Sequence, residues 1–143
     1  VPCCKEGIKI LRQDDYLKSQ LVEIGWQYGK PYGGWRAAAM VMSVLMNRVR
    51  LGWGTLLEVL DKIPSKAATM ERPTGTPSIW EPEFVKLLHE VEAIYAGTQD
   101  YANGALYWCD TRDVTTPFFL EKILGDHDAH PLVANMNSLS FFL

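Results

Sequence analysis

Apolar residues recur every three to four positions from Asp14 onward. Leu17, Leu21, Ile24 and Tyr28 form one stripe, and Gly29 follows where a helix can stop. At about 100° per residue, Trp26 falls opposite that stripe, and Glu23 falls about a third of a turn from it as the i, i+3 neighbour of Trp26. The breaker Pro31-Tyr32-Gly33-Gly34 separates this segment from residues 35–51, in which positions 37–46 are apolar almost all round. Such a helix belongs at the centre of a core. Gly52-Trp53-Gly54 closes it, and Thr55 with Glu58 spells a capping box for a short helix that Pro64 must end. Between Ile63 and Ile79 no period holds, so the segment reads as a loop, long enough to be functional or mobile. Pro82 then opens a helix through Leu87, Val91 and Ile94 that Gly97 can end.

The period changes after the turn signal Asn103-Gly104. Residues 105–109 read as a buried strand, and Pro117 can start a short helix over Phe118, Phe119, Ile123 and Leu124. Leu132–Met136 and residues 139–143, joined at Asn137-Ser138, form a terminal hairpin. Helices first and a small antiparallel sheet afterwards make the predicted fold class α+β. The 143 residues leave room for one domain, read as 14–143 behind an N-terminal extension of residues 1–13.

Fourteen Lys plus Arg against seventeen Asp plus Glu give a formal charge of -3, so no general basic field draws the chain to nucleic acid or an anionic membrane. The uncharged run at 37–47 is far short of the about 20 apolar residues a membrane-spanning helix needs. The opening Val1-Pro2-Cys3-Cys4 fits a processed end, an excised domain or a fragment alike. Three cysteines give no even disulfide framework and no metal knuckle, although Cys3 or Cys4 could pair with Cys109. His127 and His130 lie in a loop and read as solvated rather than as metal ligands, and His89 reads as a surface or half-buried histidine. Without a phosphate loop, a zinc helix or a Gly-x-Ser-x-Gly elbow, nucleotide, metalloprotease and serine-hydrolase chemistry recede.

Several blocks together resemble the SleB-type cell-wall hydrolases, the spore-cortex-lytic family also found among phage lysins. They are Gly29-Lys30-Pro31-Tyr32-Gly33-Gly34 with residues 37–49, Tyr95-Ala96-Gly97 before Gly104-Ala105-Leu106-Tyr107, Pro117-Phe118-Phe119, and the close from His130-Pro131 to Phe141-Phe142. The resemblance covers the chain from about Leu17 to its end. It implies a lysozyme-like domain that cuts the glycan strands of peptidoglycan as a muramidase or lytic transglycosylase, with no cofactor and no metal. The setting implied is a bacterial envelope, the extracellular space or a phage virion.

Such chemistry needs a carboxylic acid of raised pKa at a helix end beside a groove, and aromatic side chains to cover the apolar faces of sugar rings. Glu23 is the candidate general acid and base, with Trp26 as an apolar wall beside it. Tyr32, Trp80, Tyr107 and Trp108 are candidates to line the groove. Asp110 is a candidate polar contact and, with Asp113 and Glu71, a candidate second carboxylate. Two departures stand out. Registered without gaps on Gly29-Lys30-Pro31-Tyr32, the family's catalytic glutamate falls on Trp26, and its usual histidine in the final hairpin falls on Leu139. The contrasting expectation is therefore a SleB-like domain without catalysis, serving as a glycan-binding or structural module in a virion or envelope assembly.

Overall fold

The structure, a computed structural model, describes residues 2–63, 81–112 and 117–143, with side chains from residue 14 onward. The loop between Ile63 and Ile79, Trp80, Glu71, Asp113 and the side chains of Cys3 and Cys4 lie outside the described residues. Helix α1 (Pro2–Arg50) is followed by α2 (Leu56–Asp61) and α3 (Pro82–Ala96). Strand β1 (Tyr107–Asp110), a π-helical turn (Phe119–Ile123), β2 (Leu132–Met136) and β3 (Leu139–Phe142) complete the fold. The strands form one antiparallel sheet in the order β1-β3-β2, so the chain is α+β as its pattern predicts. No helix among the described residues is long and apolar enough to cross a membrane.

Helix α1 is one run in name and two helices in fact, because Gly33 and Gly34 leave helical geometry. Gly34 has φ 67° and ψ -144°, a conformation that side-chain-bearing residues avoid. The Glu83 carboxylate accepts the Trp35 N–H at 2.8 Å and so caps the start of the second half. The predicted stop at Gly29 is corrected: the helix continues through Pro31, and Gly29 serves another purpose. A Cβ at Gly29 would lie 2.4 Å from the Ala38 nitrogen and 2.5 Å from the Ala37 oxygen. Gly25 and Gly29 thus let the first half of α1 lie directly on the second.

That close approach also corrects the predicted stripe. The buried face of the first half is Leu21, Val22, Gly25, Trp26 and Gly29, whereas Leu17, Ile24 and Tyr28 are half-buried at its border. A glycine contributes no apolar side chain, so hydrophobic periodicity alone could not see where the core face turns. The second half behaves as expected, with every residue from Ala37 to Met46 buried. Its one polar member, Ser43, donates to the Ala39 carbonyl at 2.9 Å and accepts the Tyr101 N–H at 3.0 Å, so its burial costs little.

Around this central helix α3 buries Leu87, Val91 and Ile94 and ends on left-handed Gly97, and α2 buries Leu56, Val59 and Leu60 behind its Thr55 cap. The Glu58 N–H reaches the Thr55 hydroxyl at 3.3 Å. Strand β3, the middle of the sheet, is buried at all four positions. β2 joins it with an irregularity between Leu132 and Ala134.

Candidate functional site

Two aromatic flanks border the buried face of the first half of α1. On one, the Trp26 ring meets Phe84 of α3 edge to face at 5.2 Å, with the Lys30 ammonium 5.6 Å from its centre. Trp26 is 7% exposed, so it is a core residue. Tyr28 lies two residues on, about 160° around the helix axis, and Tyr32 follows it on the same side. Here the Tyr28 ring meets Trp108 of β1 edge to face at 5.7 Å, and the Tyr32 hydroxyl donates to Asp110 at 2.8 Å. Burial pushes the Tyr28 phenol up.

The blocks that carry the resemblance converge on one another. Asn47 donates to the Ala105 carbonyl at 3.1 Å and to Asp100 at 3.2 Å, and the Arg48 Nε donates to the Leu106 carbonyl at 2.8 Å. Residues 47–48 thereby fasten the central helix to the strand that starts at Gly104-Ala105-Leu106-Tyr107. Asp100 also accepts the Ala102 and Gly104 N–H groups, each at 2.8 Å, and so shapes the turn into that strand. At the other end Asn137 donates to the Tyr32 carbonyl, tying the terminal hairpin to the helix break. Motifs far apart in sequence act here as stitches between helix and sheet.

Asp110 belongs to the same stitching. Its carboxylate accepts the Arg112 N–H at 2.9 Å, the Arg112 Nε at 3.4 Å and the Tyr32 hydroxyl, and its side chain is only 10% exposed. The Arg112 backbone N–H first, and then Tyr32 and the Arg112 guanidinium, hold its pKa down to about 2. Ionised at neutral pH, Asp110 can accept hydrogen bonds but has no proton to give. It positions Tyr32.

Tyr107 and Trp108 do not share a groove, which corrects the expectation that they line one together. Alternation along β1 sends them to opposite faces. Trp108 turns toward α1, while Tyr107 meets Trp53 at 5.6 Å, Phe119 at 6.1 Å and His130 at 5.3 Å. Arg48 sits at the strand's end between the two faces, its guanidinium carbon 4.9 Å from the Trp53 ring centre, 5.1 Å from Trp108 and 5.8 Å from Tyr107. Trp53 is exposed and gives this cluster an open aromatic surface. Sequence reasoning missed the part played by Arg48 and Trp53: the first stood inside a motif and the second between two helix-ending glycines. An aromatic residue held between two glycines at a helix end was the available signal.

Glu23 lies on neither flank. It points outward, opposite the buried stripe, with the Gln27 amide 3.5 Å from its carboxylate. It borders a depression of about 230 Å³ with Gln20, Ile24, Gln27, Leu60, Asp61 and Ile63. No aromatic residue among the described residues lines that depression, so the expected Trp26 wall is corrected: the indole is turned to Phe84 instead. Leu139, where the resemblance expects a histidine, is 2% exposed and belongs to the core. Cys109 on β1 has its thiol pushed up to about 11, by burial first and then by Asp110, which leaves it protonated and unreactive at neutral pH. No group of three potential metal ligands forms among the described residues. Comparison with family models, with curated proteins and with solved structures finds no match to this chain.

Proposed function

We propose that the chain is a SleB-like domain of lysozyme-like ancestry that binds the glycan strands of peptidoglycan without cutting them, as a module of a bacterial envelope or virion assembly. The observation that carries this reading is the exchange at the tail of the first helix. Where the resemblance asks for a proton donor, the Trp26 indole is packed against Phe84 in the interior. On the other side the exposed Trp53 ring, packed on the half-buried Tyr107, offers an apolar face to a sugar ring. The carboxylate that Tyr32 bonds, Asp110, is held ionised and nearly covered, which suits it to hold Tyr32 in place and not to protonate a departing glycosidic oxygen.

The test is cosedimentation of the chain with purified peptidoglycan, together with mass analysis of the soluble fraction. Binding without released muropeptides is expected, and Glu23→Gln is expected to behave as the parent does. Fragments released by the parent and lost in Glu23→Gln would overturn the proposal in favour of catalysis. One observation favours that second reading: Glu23 and Asp61 border the same depression, with the Gln20 and Gln27 amides beside them. Two carboxylates flanking a cleft are what most glycoside hydrolases use.

A further inference from the structure

Arg48 is held at one end and open at the other. Three rings and the bond from Nε to the Leu106 carbonyl fix the plane of its guanidinium. No carboxylate among the described residues pairs with it, and its two terminal nitrogens donate to no described acceptor. Those nitrogens are not sealed in either. Among the described residues the one buried side-chain polar atom without a partner is Ser138 Oγ, so both terminal nitrogens of Arg48 keep contact with solvent. Beside them stands Trp53, 38% exposed.

Burial pushes the guanidinium down to about 10, so at neutral pH it is still a cation, partly stripped of water and without a counter-ion among the described residues. An incoming anion recovers part of that desolvation cost. A planar fork of two N–H-bearing nitrogens fits a carboxylate bidentately, and such charge-assisted pairs are the strong ones. The net charge of -3 means that this attraction is local to Arg48 and not a property of the whole surface.

Glycan strands of peptidoglycan carry such a group conditionally. The lactyl carboxyl of each muramic acid residue is a neutral amide where a peptide stem is attached and a free carboxylate where the stem has been removed. We infer that the Arg48 fork and the open face of Trp53 form a subsite for a carboxylate-bearing sugar ring, so that the domain selects glycan strands stripped of their peptide stems. This rests on the glycan-binding reading above.

The experiment uses one batch of purified strands in two forms. In the first an amidase has removed the stems; in the second the exposed lactyl carboxylates have then been capped as methyl amides. Binding of the unaltered chain to the stripped form is expected to be about tenfold tighter than to the capped form, the worth of one charge-assisted pair. Equal affinity for the two overturns the carboxylate subsite while leaving glycan binding intact. Binding to neither overturns the glycan-binding reading itself. Arg48→Lys keeps a charge and loses the fork, and is expected to erase the preference; a thermal melt reports separately whether the variant folds. Trp53→Ala, at an exposed position, is expected to weaken both forms together, and an unchanged affinity for both would remove Trp53 from the subsite.

Discussion

The two flanks of the first half of α1 use aromatic residues for different ends. On the Trp26 flank an indole is closed in by Phe84, with the Lys30 ammonium over its ring and reaching to Glu81 at 3.6 Å on the rim. On the Tyr28 and Tyr32 flank polar groups are tied to neighbours: the Tyr32 hydroxyl to Asp110, the Arg48 guanidinium to the Leu106 carbonyl and the Asn137 amide to the Tyr32 carbonyl. The first flank adds stability to the helical core. The second joins the helices to the sheet and ends in an open aromatic cluster. Under the proposed reading, the position where the resemblance asks for an acid is given over to packing.

The comparison breaks most visibly at Trp26. Trp26→Ala is expected to cost about 3–5 kcal/mol in chemical denaturation, the usual penalty for emptying a large aromatic site, while glycan binding per folded molecule stays as it was. A parallel loss of binding would mean that the two flanks are not separable. Gly29→Ala comes next. Its Cβ meets backbone atoms at 2.4 and 2.5 Å, which cannot swing aside as a side chain would, so a loss near the upper end of about 1–3 kcal/mol is expected in the same assay.

Asp110 sharpens the other side by pH. Its pKa of about 2 lies below the ordinary 3.8, so its contribution to stability is complete above the ordinary value and is lost as pH falls toward 2. Urea melts of Asp110→Asn are expected to lie below those of the parent at pH 7 and to converge with them near pH 2. A gap that stays constant with pH would show that the carboxylate's charge is not what holds Tyr32. The smallest effect is expected at Glu23, where Glu23→Gln on an exposed helix surface should move stability by no more than about 0.5 kcal/mol.

Much of the architecture was legible in the pattern of residues. The helix from Pro82 to the left-handed Gly97, the capped α2 and the terminal hairpin lie where period, caps and turn residues put them. The first helix was harder, because its orientation is set by two glycines that carry no hydrophobic signal. Candidate residues were legible by type and less so by direction. Trp26 and Glu23 are near neighbours in sequence, yet one faces Phe84 and the other solvent. Tyr107 and Trp108 are adjacent and point apart, as strand geometry requires once the strand's register is known. The open fork of Arg48 could not be read from sequence, since it depends on which carboxylates come near in space.

The five indoles of the chain offer the most direct test, since each reports its own surroundings. Indole N–H resonances recorded by NMR during titration with soluble glycan-strand fragments are expected to shift at Trp53, to a smaller extent at Trp108, and not at Trp26. Shifts confined to Trp26, or to the Gln20 and Gln27 amides beside Glu23, would place the ligand on the wrong side of the helix and contradict the account.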